Sequence, residues 1–134
     1  MSLTIKTVER LFHKLETFKN DKFFDVSENV NWTVMGTHPL VGTYKNKKEF
    51  ITHTFGRLNK ILNKEIVLKV NNILLTGNNA VVEMESLSSA LNGKPFNNTY
   101  CWIVEFENEI IIRVRAYVDS ALVQKVIDEN EKIE

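Results

Sequence analysis

Four strand-like segments follow one another in the second half of the chain, and this succession limits the possible folds more than any other feature. Each segment is rich in β-branched or aromatic residues, and short turn sequences such as Asn92-Gly93 separate them. In chain order they read IVLKVNNILL, AVVEMESLSSAL, PFNNTYCWIVEF and EIIIRVRAYV. Since such short turns join antiparallel neighbours, the pattern predicts a meander of strands up to about 11 residues long.

The first half of the chain has helical periodicity instead. Residues 4–18 and 46–62 each place apolar side chains three or four positions apart, which is typical of an amphipathic helix with one buried face. The remaining predicted elements are a helical turn within 20–27, a strand over 30–35, a loop or kinked edge over 36–44 and a closing helix over 120–134.

Helices followed by a meander indicate a single α+β domain over residues 1–134, with the helices packed on one face of the sheet. Strands that are long for a domain of 134 residues favour strong curvature of that sheet. Helices across the concave side of a curved sheet leave a conical cavity, which is the expected site for a small ligand.

The composition argues against several kinds of partner. Lysine plus arginine and aspartate plus glutamate both number 17, so no excess of basic residues is available to neutralise nucleic-acid phosphates. No apolar run approaches the roughly 20 residues of a membrane span, and the N-terminal MSLTIKTVER lacks the apolar core of a signal peptide. We therefore expect a cytoplasmic protein without nucleic-acid or membrane partners.

Metal and cofactor sites are not expected either. His13 and His53 lie far apart in the sequence, and neither has a carboxylate at the spacing of metal ligands. The chain has no glycine-rich phosphate loop and no GxSxG nucleophile motif. Its single cysteine, Cys101, alternates with the inward-facing candidates of its strand. The sequence therefore predicts a site that works without metal or cofactor.

The segments WTVMGTHPLVGTY, NNTYCWIVEF and IIRVRAYVDSALV resemble the SnoaL-like, ketosteroid isomerase-related branch of the nuclear-transport-factor-like superfamily. The resemblance covers nearly the whole chain and implies a cone-shaped half-barrel: a strongly curved, mostly antiparallel sheet with three to four helices on its concave side. It also implies a homodimer formed through the outer face of the sheet. The superfamily includes isomerases, cyclases, epoxide hydrolases, dehydratases and pure binding proteins, so the fold does not select the function.

The positions that serve steroid isomerisation in that family are occupied here by unsuitable residues. The chemistry needs a carboxylate base and an oxyanion hole built from a tyrosine and a protonated carboxylic acid. The resemblance places Thr33 at the base, Trp102 at the acid and Leu11 at the tyrosine. A threonine hydroxyl cannot remove a carbon-bound proton at neutral pH, so classical ketosteroid isomerase activity is not expected.

Asp119 is the one catalytic-type position that the resemblance retains, because polyketide-cyclase members of the family carry an acid/base aspartate near the end of the last strand. Two interpretations stay open. In the first, Asp119 only caps the closing helix; in the second, it faces the cavity as a general acid or base. Arg115, four residues earlier and on the same strand face, would pair with Asp119 and orient it.

Glu83 and Glu85 share one face of the second predicted strand, where they alternate with Val82, Met84 and Ser86. If their face is concave, two carboxylates enter the cavity; if it is convex, both are solvated. The resemblance favours a Glu85 side chain that points into the cavity, as a second acid or as a group that positions water. Glu83, on the same strand face, is then predicted to contact the ligand.

Five further residues are predicted to contact a ligand. Tyr100 and Trp102 share a strand face and would form flat apolar walls with an O–H and an N–H for orientation, with an ordinary aromatic core as the alternative. Trp32 and Tyr44 are candidates at the rim. His38 is a candidate at the cavity mouth that could titrate near neutral pH, and its alternative is a simply exposed histidine.

The sequence thus predicts a SnoaL-like protein that binds a small apolar molecule, and two functions remain open. One is a cofactor-free isomerase, cyclase or hydratase acting on a carbonyl or epoxide compound, with Asp119 as acid/base, Arg115 as its orienting residue and Glu85 as a second acid. The other is a non-catalytic ligand-binding or protein-interaction domain, in which the same polar groups form salt bridges.

Overall fold

The structure, a computed structural model, describes residues 3–13, 26–63 and 67–131. The described part contains four α-helices and eight β-strands. In chain order they are α1 (Ile5–Phe12), β1 (Val26–Val34), β2 (Gly42–Tyr44), α2 (Lys47–His53), α3 (Phe55–Asn59), β3 (Leu68–Thr76), β4 (Asn79–Ser86), β5 (Ser88–Ser89), β6 (Pro95–Phe96), β7 (Thr99–Glu107), β8 (Ile110–Val118) and α4 (Ser120–Asn130).

Six of the strands form one curved sheet in the order β2-β1-β8-β7-β4-β3. Every neighbouring pair is antiparallel except β1 and β8, which run parallel. The sheet does not close, since β2 and β3 form its two edges, and the pairing of β3 with β4 shifts register between Val70 and Asn72. The α+β class and the mostly antiparallel curved sheet predicted from the sequence are confirmed.

Tight turns connect the long strands of the meander. Gly77 (φ +60°) lies between β3 and β4, and Asn108 (φ +51°) and Glu109 (φ +64°) lie between β7 and β8. Two consecutive left-handed residues are characteristic of a type I′ hairpin turn. Asn92-Gly93 instead closes the small β5–β6 hairpin, which interrupts the second and third predicted strands. The longest strands consequently have nine residues and are shorter than predicted.

The helix predicted over 46–62 is divided at Thr54. This residue has φ −115° and ψ −86°, outside the helical region, and its backbone N–H and its hydroxyl both donate to the Phe50 carbonyl, at 3.1 and 2.6 Å. A hydroxyl that bonds the preceding turn competes with the regular helical pattern, which accounts for the break. As a result Phe50 and Phe55 enter the core from two different helices.

Parts of three predicted helices fall outside the described residues. Of the helical turn predicted within 20–27, only Val26 and Ser27 are described, and they form the start of β1. Residues 14–18 of the helix predicted over 4–18 and residues 132–134 of the helix predicted over 120–134 also lie outside them. None of the described helices is both long enough and apolar enough to cross a membrane.

Aromatic rings from the sheet and three helices meet in one cluster on the concave side. The Trp32 ring of β1 stacks on Phe50 of α2, with ring centroids 3.5 Å apart, and meets Trp102 of β7 edge-on at 5.0 Å. Phe12 of α1 and Phe55 of α3 also pack against Trp102. The helices are therefore anchored to the sheet through two central tryptophans.

Candidate ligand cavity

A small cavity lies beside the aromatic cluster, at the end of the sheet where β1 and β8 finish and β7 begins. Its volume is about 40 Å³, which is space for about three water molecules. The lining is mainly aromatic and aliphatic and includes Phe50, Phe55, Tyr100, Trp102 and Trp32. The sequence predicts a conical cavity without a size, and in the structure stacked rings fill much of the concave side.

Two buried polar atoms on lining residues have no hydrogen-bond partner within the described structure: the indole Nε1 of Trp32 and the hydroxyl of Tyr100. Burial raises the pKa of Tyr100, and the Ser86 hydroxyl beside it opposes that rise. Tyr100 therefore stays protonated over the ordinary pH range. Neither polar atom contributes appreciably to the surface of the cavity, which is almost wholly apolar.

His38 lines the cavity, but its ring is buried and both of its nitrogens are engaged. The Leu40 N–H donates to Nδ1 at 3.1 Å, which leaves Nε2 as the protonated nitrogen, 3.1 Å from the Met35 carbonyl. Burial lowers the pKa of His38, and the bond to Met35 opposes that shift. The alternative prediction, an exposed histidine, is therefore wrong. The neutral ring of His38 instead connects Met35 and Leu40, the residues on either side of it in the loop.

Residues 35–41 form a short loop beside the cavity, which we name the strap. Gly36 (φ +118°) packs so closely against α4 that a Cβ atom at this position would lie 2.3 Å from the Ser120 Oγ. Tyr44 donates its hydroxyl to the Leu40 carbonyl at 2.8 Å. Tyr44 thus supports the strap from outside and is not among the residues that line the cavity.

Asp119 is the N-cap of α4. Its Oδ1 accepts hydrogen bonds from the backbone N–H groups of Ala121 at 3.1 Å and Leu122 at 3.4 Å. The residue is exposed and does not line the cavity, although the preceding Val118 does. Asp119 thus caps α4, as the first interpretation predicts, and its side chain does not face the cavity.

The two glutamates of β4 lie on the outer face of the sheet. The inward side chains of this strand are Val82 and Met84, so Glu83 and Glu85 point away from the cavity. Glu83 accepts a hydrogen bond from the Asn72 side chain at 3.0 Å. The preference for an inward Glu85 is therefore wrong, because successive side chains of a strand alternate between its faces and the apolar set occupies the inner one.

Arg115 also lies on the outer face. It is exposed, its register partners are Ile103 of β7 and Thr33 of β1, and it makes no ion pair within the described residues. The expected pair with Asp119 is not formed, because β8 ends at Val118 and the next residue already caps α4.

Thr33 does not occupy an inward catalytic position. Its hydroxyl lies 3.2 Å from that of Thr43 on the neighbouring edge strand, while Trp32 faces inward. A shift of one residue along a strand exchanges its two faces. The alternation of Val30, Trp32 and Val34, which are all buried, is the sequence signal that identifies the inner face of β1 and moves Trp32 from the predicted rim to the centre.

Acidification is expected to destabilise the protein through His38. The folded state binds a proton at His38 less readily than the unfolded chain, so the stabilisation is complete above the unfolded-state pKa of 6.5 and is lost as the pH falls below it. We expect the urea midpoint to fall between about pH 7 and pH 5, and to fall less in His38→Gln. His53→Gln, at an exposed histidine, should keep the wild-type pH dependence. If the urea midpoint of His38→Gln falls with pH as much as that of the wild type, His38 is not the cause of the acid destabilisation.

The cap at Asp119 gives a second prediction. Asp119→Ala is expected to lower the free energy of unfolding by about 1 kcal/mol, since two backbone N–H groups lose their acceptor. Asp119→Asn retains an oxygen at that place and should change stability by only a few tenths of a kcal/mol. Urea unfolding measures the free energy of unfolding of both variants. If Asp119→Asn loses as much stability as Asp119→Ala, the charge of the aspartate matters more than its capping hydrogen bonds.

No protein-family model matches the chain. Among curated proteins, the chain is similar to the dimerizing cyclase phiC of a fungal species, with 27% identity over 126 residues. The matched stretch covers 87% of this chain and 56% of the cyclase, so the chain spans a little over half the length of this relative.

Solved structures identify the fold. An NTF2-like protein from Burkholderia thailandensis has a TM-score of 0.76 at 18% identity, covering 91% of this chain and 95% of that protein. Bal32a, from a soil-derived mobile gene cassette, has a TM-score of 0.75 at 18% identity, covering 90% and 93%. A protein with a ketosteroid isomerase-like fold from Catenulispora acidiphila has a TM-score of 0.66 at 11% identity, covering 86% of each chain. The chain therefore has the NTF2-like, ketosteroid isomerase-like fold, as the sequence resemblance implied.

Proposed function

We propose that the cavity binds a small, largely apolar molecule between its aromatic walls. The observation that carries this proposal is the lining of the cavity, which is mainly aromatic and aliphatic and encloses about 40 Å³. Apolar cavities of this kind stay dry and take up small apolar molecules.

The remaining lining supports binding rather than carboxylate catalysis. Flat aromatic walls such as Phe50 and Phe55 favour an apolar ligand body. Within the described lining there is no acidic and no cationic side chain. A bound substrate that has to lose a carbon-bound proton would therefore find no carboxylate in this lining to remove it.

Titration of the ¹⁵N-labelled chain with apolar compounds of three or four non-hydrogen atoms, which match the cavity volume, tests this function. Both tryptophans of the chain line the cavity, so their indole N–H signals report on occupancy directly. We expect saturable shifts of these signals, and we expect Ala116→Leu, which fills the cavity, to abolish them. Ala121→Leu, at an exposed position of α4, is the matched control and should bind normally. If no compound shifts either indole signal, the proposal is wrong.

Turnover of the bound molecule by cofactor-free isomerisation or cyclisation is the second candidate function, and the similarity to a cyclase favours it. Asp119 directly follows the lining residue Val118 and would have to release its helix cap to act as the base. Loss of turnover of an identified substrate in Asp119→Asn, at unchanged stability, would support this role; retained turnover would remove Asp119 from the mechanism.

We also propose that two copies of the chain associate through the outer face of the sheet. The strand registers place Leu74, Val81, Ile103 and Arg115 in one row across β3, β4, β7 and β8. Leu74 is 56% exposed, and neither Arg115 nor Glu85 makes an ion pair within the described residues. Three apolar side chains in a row on an outer sheet face form a patch that can pack against the same patch of a second copy under two-fold symmetry.

Light scattering after size-exclusion chromatography tests the association. Leu74→Arg is expected to convert a dimeric wild type into a monomer, because it introduces a charge into the apolar row. Leu87→Arg is a matched control, since Leu87 is also 56% exposed but lies outside the six-stranded sheet. A wild type that is monomeric at every concentration would refute this association.

A further inference from the structure

Resting on the proposed ligand cavity, we infer that the strap closes this cavity and that protonation of His38 releases it. The strap contributes two buried side chains to the lining, His38 and Leu40. Two glycines at positive φ bracket them, Gly36 at +118° and Gly42 at +154°. Because glycine accommodates a wide range of backbone angles, the strap can swing outward at these two positions. Such a movement removes two residues from the lining and admits solvent to the space that they cover.

Beyond its first residue, the strap is joined to other described elements by one short hydrogen bond and two long ones. Tyr44 of β2 donates to the strap at 2.8 Å. The Thr37 N–H donates to the Ser120 hydroxyl of α4 at 3.4 Å, and Arg57 of α3 donates to the Pro39 carbonyl at 3.5 Å. Both long distances exceed the usual range of about 2.7–3.2 Å. These contacts with α3 and α4 therefore hold the strap weakly.

The His38 ring holds the strap in its closed shape only while the ring is neutral. Its Nδ1 accepts the Leu40 N–H at 3.1 Å. Protonation places a hydrogen on Nδ1, so that two donors face each other at this distance. A buried imidazolium without a counter-charge is also costly, and burial already lowers the pKa of His38. Proton uptake and opening therefore favour each other as the pH falls below 6.5, the ordinary pKa of the ring.

The charged groups on the elements around the strap are engaged elsewhere. Arg57 of α3 donates to Glu131 of α4 in two bonds of 2.6 and 2.9 Å. Asp119 caps α4 and does not line the cavity. Burial raises the pKa of Tyr44 and of Tyr100, so both stay neutral. The described lining itself carries no acidic side chain that would keep a charged His38 in place.

Hydrogen exchange of the Leu40 amide in the full chain tests the release without any ligand. Its protection factor should fall at least about fivefold between pH 7 and pH 5, with a limit of about 25-fold if the proton binds only to the open strap. The Val82 amide lies in β4, between two neighbouring strands, and reports global unfolding. It should remain far better protected at both pH values. An unchanged protection factor of Leu40, or equal protection of the two amides, overturns the inference.

His38→Asn identifies the group that takes up the proton. Asparagine keeps an oxygen that can accept the N–H two residues on, and it does not titrate. The protection factor of Leu40 should then change less than about twofold between pH 7 and pH 5. His53 stacks on Tyr44, so His53→Asn is the matched control and should keep the wild-type pH dependence. A pH dependence that persists in His38→Asn, or disappears in His53→Asn, refutes the role of His38.

Val123→Cys in a Cys101→Ser background tests whether the strap covers the cavity. Val123 lines the cavity and lies one helical turn after Ser120, the residue that contacts the strap. Relative to an unfolded reference peptide at the same pH, the introduced thiol should react with methyl methanethiosulfonate at least about fivefold faster at pH 5 than at pH 7. Val82→Cys in the same background reports global unfolding and should react much more slowly. Equal relative rates for the two thiols would show that the strap does not close the cavity.

These measurements use no ligand, so their failure is distinct from a failure of the proposed function. If the strap opens as expected while no apolar compound shifts the indole signals, the ligand function is wrong and the acid-released closure stands. If compounds bind while the Leu40 amide and the introduced thiol do not respond to pH, the cavity remains a binding site and the closure is refuted.

Discussion

Replacing Trp32 with alanine is expected to lower the free energy of unfolding by about 3–5 kcal/mol, because it opens a void at the centre of the aromatic cluster. The ring is fully buried, stacks on Phe50 at 3.5 Å and meets Trp102 edge-on at 5.0 Å. Its removal therefore loosens the contacts of β1 with α2 and of β1 with β7 at once. Urea unfolding followed by far-ultraviolet circular dichroism measures the loss, since the fluorescence of the remaining tryptophan also changes.

The control is Trp32→Phe, which keeps a ring for the stack and deletes the indole Nε1. We expect it to cost much less than alanine, because part of the lost packing is offset by the removal of a buried donor that has no partner among the described residues. A loss below about 1 kcal/mol for the alanine variant would show that the cluster does not hold the helices to the sheet.

Gly36→Ala is the second change with a large expected effect, lowering the free energy of unfolding by about 2–3 kcal/mol. Gly36 has φ +118°, a conformation that residues with a side chain rarely adopt, and the added Cβ would lie 2.3 Å from the Ser120 Oγ. The strap would have to move away from α4, and His38 and Leu40 would move with it. Urea unfolding measures the loss of stability, and weaker ligand binding should accompany it.

Two further variants separate the backbone strain from the steric contact. Gly77→Ala also places a methyl group at positive φ, but none of the described residues has an atom within 4 Å of it, so the loss of stability should be smaller. Adding Ser120→Ala to Gly36→Ala removes the clashing hydroxyl and should recover part of the stability, which a double-mutant cycle detects as coupling. Purely additive losses would mean that the contact with α4 does not constrain the strap.

Alternation of apolar and polar residues predicts the faces of the strands wherever the strand is regular. Tyr100 and Trp102 face inward in β7, as their shared parity indicates, and both line the cavity. In β4 the apolar Val82 and Met84 identify the inner face equally well. The family resemblance predicts an inward Glu85, and the structure agrees with the local alternation instead.

Other features depend on contacts that no local pattern contains. The break at Thr54 arises because its hydroxyl bonds the Phe50 carbonyl, and a neutral His38 arises because the strap folds back on its ring. The cavity is small because Trp32 stacks on Phe50, which lies on a different element. The roles of Phe50, Phe55 and Ala116 in the lining are consequences of that packing and were not predicted.

The open sheet has one further consequence, for resistance to self-propagating aggregation. Its two edges are β2, only three residues long, and β3, whose ladder to β4 shifts register between Val70 and Asn72. A bulge bends an edge strand and interrupts its regular row of backbone donors and acceptors, and a lysine such as the exposed Lys69 discourages a neighbour from docking. Along β2 and β3 a foreign strand therefore finds only a short or an interrupted row of backbone groups, which disfavours growth of the sheet into a fibre at these two strands.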